Sequence, residues 1–102
     1  GWARIVNPPT LSREGFLAEV TAALAGPPAD VIGVSAGFDA HRADWGGLLT
    51  TADYAAIGAG VRATAARWGA GAFGILEGGY NHAVLGGNVR AFLRGLDGRP
   101  AA

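Results

Sequence analysis

The chain has 102 residues, a length that accommodates one domain. Half of its residues are hydrophobic, and eight basic and eight acidic residues give a formal net charge of zero. This composition excludes the apolar-poor, highly charged class of disordered chains, and it indicates no basic surface for a nucleic acid or a membrane. The chain contains no cysteine, which excludes disulfides and thiolate metal sites.

The start of the sequence bears on whether the protein is complete. The chain contains no methionine, and residues 1–7 fit the start of no regular element, so we expect a fragment of a longer protein. A processed or trimmed product is the alternative. No apolar run approaches the roughly 20 residues of a membrane helix, and no charged-then-apolar leader opens the chain. The sequence therefore predicts a cytoplasmic location.

Two proline-containing breaks, at residues 8–9 and 26–28, delimit the first predicted helix. Ser12 can cap its start, and the helical pattern continues to Ala25. Its apolar residues recur at helical spacing; they are Phe16, Leu17, Val20 and Leu24.

A strand and a long loop follow this helix. The run from Asp30 to Ser35 is short, apolar and rich in β-branched residues, which predicts a strand covered on both faces. The stretch from Ala36 to Thr50 has no apolar period and is rich in glycine, aspartate and other polar residues. We predict a loop there, and loops of this length in compact domains are usually functional.

A second helix is predicted to begin at Thr50, which provides a hydroxyl cap, with Asp53 as an acid in the first turn. Its buried stripe consists of Tyr54, Ile57 and Val61, with Trp68 near its end. Gly58 and Gly60 inside the helix predict close packing against a neighbour, and Gly69 ends it.

The last part of the chain repeats the strand, loop and helix order. Residues 72–76 predict a buried strand, residues 77–81 a glycine-rich turn, and Asn81 caps a helix that ends at Gly95 or Gly98. The order helix, strand, helix, strand, helix predicts an α/β fold with parallel strands and a right-handed crossover. Two apolar strands make a poor sheet, so we expect them to belong to a larger one.

Two polar residues follow the two predicted strands at the same spacing. Asp39 lies four residues after Ser35, and Tyr80 lies four residues after Leu76. Ligands of open parallel sheets bind beyond the carboxyl ends of the strands. If the strands are neighbours, the carboxylate and the phenol lie at one site.

Other motifs in the loops leave alternatives open. Residues 33–37 fit the G-x-S-x-G elbow of serine hydrolases, with Ser35 as the nucleophile and His82 as a candidate base, although that motif needs a helix directly after the serine. In an extended Asp39-Ala40-His41 segment, Asp39 and His41 would face the same way and could bind one zinc ion. Nucleotide binding is not expected, because the glycine pattern is wrong and the chain has no lysine.

Three motifs occur in the order found in a known family. Residues 34–44 (VSAGFDAHRAD) resemble the "SAGFDAHxxD" stretch of the histone deacetylase superfamily, in its bacterial and class II branch with the acetylpolyamine amidohydrolases. Residues 46–54 resemble its "GG…LT..DY" helix start, and residues 76–96 its "LEGGYN…LG…AFLxGL" ending. The resemblance covers about residues 30–96. It implies a portion of a three-layer α/β/α, arginase/deacetylase-like fold.

The resemblance also implies roles for single residues. Asp39 matches one of the aspartate ligands of the family's zinc ion, and Tyr80 matches the tyrosine that stabilises the oxyanion formed from the substrate carbonyl. Gly78 and Gly79 would line the narrow substrate channel. Phe38 and His41 would lie at the rim of the site, with Phe38 serving mainly in packing.

Several parts of the family's site are not found in these 102 residues. The tandem histidines and the D-x-H segment with the other two zinc ligands would lie upstream, so the isolated chain is expected to be inactive. The implied substrates are acetylated lysine side chains or acetylated polyamines and other amines. Trp45 stands where proline is common in the family, which changes the rim of the site. A non-catalytic α/β module that binds a partner through its sheet edge remains a further alternative.

Overall fold

A computed structural model describes residues 12–99. Five elements follow one another in these residues: α1 (Arg13–Leu24), β1 (Val31–Ala36), α2 (Thr51–Trp68), β2 (Gly71–Leu76) and α3 (His82–Leu96). This is the predicted order of helices and strands, and each predicted boundary lies within one residue or so of the observed one. The predicted break at residues 8–9 lies outside the described part of the chain. In that part, no helix has the length and hydrophobicity needed to cross a bilayer.

The two strands form a parallel pair. Val31 pairs with Gly71 at one end, and Ala36 pairs with Leu76 at the other. The helix α2 connects them, as a parallel pair requires a crossover connection. The observed pairing confirms the predicted α/β fold with parallel strands, and it shows that the two strands are neighbours.

Only one face of this pair is covered by residues 12–99. The even-numbered residues Val34 and Ala36 face the hydrophobic core, and the ring of Phe92 from α3 lies beneath Gly74. The odd-numbered residues form an outer face that is exposed along its whole length; its large apolar members are Val31, Phe73 and Ile75. The prediction of strands covered on both faces is therefore not met by this part of the chain.

The core lies between the inner face of the sheet and the two longer helices. Its buried members come from β1, from the loop after it and from both α2 and α3; they are Ala36, Phe38, Leu49, Tyr54, Ala55, Ala91 and Phe92. The ring of Phe38 makes a tilted contact with Tyr54, at 4.9 Å between centroids, and an edge contact with Phe92, at 6.0 Å. Such aromatic pairs add to the free energy of burying their apolar area. The first residues of the loop are thereby anchored in the core.

The helices α2 and α3 cross at two glycines. A side-chain carbon at Gly58 would collide with the carbonyl oxygen of Phe92, and one at Gly95 would collide with that of Ala55. The backbones are thus in contact at this crossing. The predicted close packing of Gly58 is confirmed, and a side-chain carbon at Gly60 would stand 3.4 Å from the Leu24 side chain of α1.

The start of α2 is held by a capping box and an ion pair. The Thr50 hydroxyl accepts the amide of Asp53 at 3.2 Å, and the Asp53 carboxylate accepts the amide of Thr50 at 2.9 Å. Arg13 of α1 donates two further hydrogen bonds, each 2.8 Å long, to the same carboxylate. Asp53 therefore connects α1 to the first turn of α2.

This ion pair predicts a loss of stability in acid. The hydrogen bonds from Arg13 are the main cause that lowers the pKa of Asp53 from 3.8 to about 2. Because the folded-state pKa is depressed, the pair stabilises the fold above pH ~4, and this contribution disappears as the pH falls through ~2. With a side chain only 7% exposed, Asp53→Asn should reduce the free energy of unfolding at pH 7 by about 2 kcal/mol.

Urea unfolding between pH 2 and pH 7 measures this contribution. The difference between the native chain and Asp53→Asn should shrink toward zero at the acid end. Asp97→Asn is a matched control, because the Asp97–Arg99 pair is largely exposed and screened by solvent. An equal loss in both variants, or a loss that does not depend on pH, would refute the assigned role of Asp53.

Candidate functional site

Two loops leave the same edge of the sheet. β1 ends at Ala36 and β2 ends at Leu76, and these residues are register partners. Beyond them the loops stay in contact, because the Phe38 amide donates to the Gly78 carbonyl at 2.8 Å and the Glu77 amide donates to the Ala36 carbonyl at 3.1 Å. The predicted meeting of the two loops at one edge is thus confirmed by the backbone. We name residues 37–50 the first loop and residues 77–81 the second loop.

The Asp39 carboxylate lies directly against the second loop. A side-chain carbon built on Gly78 would stand 2.8 Å from Oδ2 of Asp39, and one built on Gly37 would stand 3.2 Å from Oδ1. The carboxylate therefore occupies a slot between two glycines and is half-buried there. Any larger residue at position 78 would displace it.

Gly79 of the second loop packs closely above Phe38 of the first loop. Gly79 has a φ of 150°, which side chains rarely adopt. A side-chain carbon there would stand 2.6 Å from Leu85 and 3.4 Å from Phe38. Phe38 itself is only 2% exposed, so it lies beneath the loops instead of at an exposed rim.

A single carboxylate joins the two loops. Asp44 of the first loop accepts the backbone amides of Tyr80 and Asn81, each at 2.9 Å, through Oδ2. Its Oδ1 accepts the Trp45 amide at 2.7 Å, and the Asn81 side-chain amide donates to the Ala43 carbonyl at 2.6 Å. The hydrogen bond from the Asn81 amide is the main cause that lowers the pKa of Asp44, so this acceptor is ionised at neutral pH.

Tyr80 places its ring on the open side of the site. Its side chain is 51% exposed, and its ring stacks on that of Trp45, with centroids 4.5 Å apart and planes inclined by 27°. Two contacts therefore restrain Tyr80. Its backbone amide is bound by Asp44, and its ring is in contact with the Trp45 indole.

His41 takes a position inside the protein. The ring is 4% exposed; Nδ1 accepts the Ala43 amide at 3.1 Å, and Nε2 lies 3.3 Å from the Thr51 hydroxyl. That hydroxyl donates to the side-chain oxygen of Asn88 at 2.7 Å, so Nε2–H is the donor to Thr51. Both ring nitrogens have partners within the protein, an arrangement that does not favour a zinc ion shared with Asp39, and the buried ring does not lie at an exposed rim.

Tyr54 is the buried tyrosine beneath the site. Its hydroxyl donates to the Gly37 carbonyl at 3.2 Å. Burial is the main cause that raises its pKa, and the negative charges of Asp39 and Asp44 raise it further. Tyr54 therefore remains a neutral hydrogen-bond donor that supports the start of the first loop.

The residues of the described chain do not form a complete metal site. Residues 12–99 contain no cluster of three or more histidine, cysteine, aspartate or glutamate side chains that could hold an ion. Asp39 offers one carboxylate, whereas zinc sites in proteins use three or four protein ligands. The donors that residues 12–99 bring together are therefore too few for a zinc site.

The structure does not support the serine elbow. Ser35 lies within β1, paired with Ile75 and exposed on the outer face of the sheet. The next helix begins only at Thr51, so the serine is not held on a tight turn between a strand and a helix. His82, the candidate base, is the first residue of α3 and follows the second loop in the sequence.

Asp44 is the residue of the candidate site whose contacts the sequence did not reveal. Asp44 is the last residue of the motif at residues 34–44. The spacing of that motif does not predict that its partners are backbone amides 36 and 37 residues further along the chain. One sequence feature could have indicated this role. Asp44 lies in a loop expected to face a glycine-rich turn, and backbone amides without partners are common in such turns. Its geometry shows that it fixes the backbone of Tyr80.

Comparison with known proteins gives one match. The family model described as the histone deacetylase domain matches residues 14–96, which is most of the chain and includes both loops. No curated protein and no solved structure gives a significant match.

Proposed function

Because this chain belongs to the histone deacetylase family, we propose that it forms the C-terminal part of one deacetylase catalytic domain. The reaction is the hydrolysis of an acetylated lysine side chain or of an acetylated polyamine or other amine. The protein acts in the cytoplasm and needs neither a nucleic acid nor a membrane for this reaction.

The observation that carries the proposal is the joining of the two loops. A side-chain carbon at Gly78 would stand 2.8 Å from the Asp39 carboxylate, and Asp44 accepts the amide of Tyr80, so an anionic ligand and a phenol belong to the same edge of the sheet. Hydrolysis of an amide needs a donor for the negative charge that develops on the carbonyl oxygen. The Tyr80 hydroxyl is that donor, and such preorganised donors stabilise the transition state strongly.

The small residues of the second loop have a matching role. Gly78 and Gly79 allow the backbone to approach the Asp39 carboxylate and Phe38 closely. We assign them to the wall of a narrow channel, where an extended acyl-amine chain reaches the reacting groups. Side chains at these positions would narrow the channel and move Asp39.

Zinc is the cofactor that this proposal requires. Asp39 supplies one ligand, and we assign the other ligands and the general base to a part of the domain upstream of residue 1. When bound, zinc polarises the amide carbonyl and lowers the pKa of water. With one ligand of its own, the 102-residue chain by itself is expected to be inactive.

The exposed outer face of the sheet supports the same proposal. Val31, Phe73 and Ile75 expose about half of their surface within residues 12–99. An apolar sheet face of this kind is usually covered in a complete parallel α/β domain. We propose that the missing part of the domain covers this face and extends the sheet.

The test is an acetyl-lysine hydrolysis assay on the full-length protein that contains this chain. We expect turnover that is removed by a zinc chelator and restored by zinc. Asp39→Asn should reduce zinc content, measured by metal analysis, and lower kcat/KM by at least about 100-fold, since a ligand is lost. Ser35→Ala is the control and should retain activity, because Ser35 lies outside the site.

Each alternative predicts a different result. A serine hydrolase would lose activity with Ser35→Ala and keep it after chelation. A non-catalytic module would show no turnover of acetylated peptides or acetylated polyamines under any condition. Comparing these two substrate classes in the same assay also identifies the natural one. Robust turnover by the isolated 102-residue chain would contradict the assignment of the remaining ligands to the missing part of the domain.

A further inference from the structure

The most exposed large apolar side chain of the site is Trp45. Its surface is 82% exposed, so burial in the core does not explain where it lies. Its ring stacks on the Tyr80 ring, with centroids 4.5 Å apart and planes inclined by 27°. Offset-stacked rings at this distance attract each other beyond the area that they bury. The indole therefore contacts the residue that carries the reacting hydroxyl.

The backbone on both sides of Trp45 is fixed. Asp44 accepts the amides of both Trp45 and Tyr80, so one carboxylate sets the two residues side by side. The next residue, Gly46, donates its amide to the Asp39 carbonyl at 2.6 Å. A side-chain carbon on Gly46 would stand 2.6 Å from Ala40, so this segment is closely packed against the loop. The backbone from which the indole extends is therefore held in place.

The stack has a consequence for the Tyr80 ring. A half-exposed tyrosine on a surface loop normally samples several rotamers. An aromatic contact of this type favours the stacked rotamer by between about twofold and tenfold over the others. Reacting groups need accurate placement, and a displacement of about 1 Å can reduce a rate by about 100-fold.

We propose that Trp45 is a positioning residue that restrains the Tyr80 ring in one orientation through the stack. This inference rests on the proposed deacetylase function for its catalytic consequence. The restraint itself is a property of the two rings and can be measured without any reaction.

The first experiment measures the restraint by NMR on the full-length protein that contains this chain, with labelled tyrosine and with Tyr54→Phe and Tyr80→Phe to assign the two sets of signals. The chain has two tyrosines, and the buried Tyr54 serves as an internal reference for folding. In Trp45→Ala, the Tyr80 ring signals should move toward those of free tyrosine while the Tyr54 signals stay in place. In Trp45→Phe, which keeps a ring, the Tyr80 signals should remain shifted. Tyr80 signals that do not change in Trp45→Ala would overturn the proposal.

The second experiment measures the catalytic consequence in the full-length, zinc-loaded protein. Trp45→Ala should lower kcat by about tenfold and leave KM nearly unchanged, because the hydroxyl acts mainly in the transition state. Trp45→Phe should recover most of the lost rate. A rise in KM at unchanged kcat would overturn the positioning role, because it would make Trp45 a substrate contact.

The two experiments separate this inference from the proposed function. If the native full-length protein hydrolyses no acetylated amine, the proposed function fails, and the NMR comparison alone decides whether Trp45 restrains Tyr80. If the native protein is active and the Trp45→Ala variant has the same kcat, the proposed function stands and the positioning role fails.

Discussion

Replacing Tyr80 by phenylalanine is expected to lower the kcat of the full-length protein by about 100-fold to 1,000-fold, the usual effect of removing one oxyanion donor. The substitution removes a single hydroxyl. It leaves the backbone amide of Tyr80 on Asp44 and the ring on Trp45. The loops should therefore keep their arrangement, and KM should change little, since the lost hydrogen bond strengthens in the transition state. Steady-state kinetics on an acetylated lysine peptide measure both constants.

The other tyrosine of the chain provides the control. Tyr54→Phe also removes one hydroxyl, but this hydroxyl is buried and donates to Gly37. Its loss should reduce the free energy of unfolding by about 1 kcal/mol and leave kcat close to that of the native protein. An equal loss of kcat in both variants would mean that distortion of the loops, and not a missing donor, causes the effect at Tyr80.

The second large effect is expected at the crossing of α2 and α3. Gly95→Ala should reduce the free energy of unfolding by about 3 kcal/mol, at the upper end of the range for overpacking. The new methyl group would meet backbone, since the Ala55 carbonyl is in contact and the Ala59 amide nitrogen is 2.8 Å away. Neither group can turn aside as a flexible side chain can, so the helices must separate. Urea unfolding followed by circular dichroism measures the loss.

A second glycine of α3 provides the matched comparison. No atom of the described residues outside the local helix lies within 4 Å of a side-chain carbon at Gly87. Gly87→Ala should therefore raise the free energy of unfolding by about 0.5–1 kcal/mol, because alanine is the better helix former. A stability loss in Gly87→Ala similar to that in Gly95→Ala would show that the effect does not arise at the crossing.

The elements of this fold are largely predictable from local sequence signals. The caps at Ser12, Thr50 and Asn81 mark the helix starts and are all observed to accept backbone amides. Gly69 ends α2 in the left-handed conformation that glycine adopts most readily. These features depend on residues close in sequence, which is why composition and spacing were sufficient to find them.

The candidate site is predictable in its topology but not in its contacts. Parallel pairing of β1 with β2 brings Asp39 and Tyr80 to one edge, and this follows from the order of elements. The orientation of His41 does not follow, because the first loop folds back on itself and pairs His41 with Leu49. That turn directs the imidazole toward Thr51, whereas an extended segment would have placed it beside Asp39.

The coverage of the sheet shows another limit of local patterns. The apolar runs of β1 and β2 predict strands buried on both faces, and within residues 12–99 only the inner face meets a core. An apolar strand indicates that its two faces need cover. It does not indicate whether the cover comes from nearby residues or from a distant part of the domain.

The link through Asp44 constrains the evolution of the two loops unequally. Its partners are the main-chain amides at 80 and 81, which nearly every amino acid provides, so substitutions there leave the link intact. Position 44 itself has no such freedom, since a carboxylate of this length is needed to reach three amides. The side chains at positions 80 and 81 can therefore change during evolution while Asp44 in the first loop is retained.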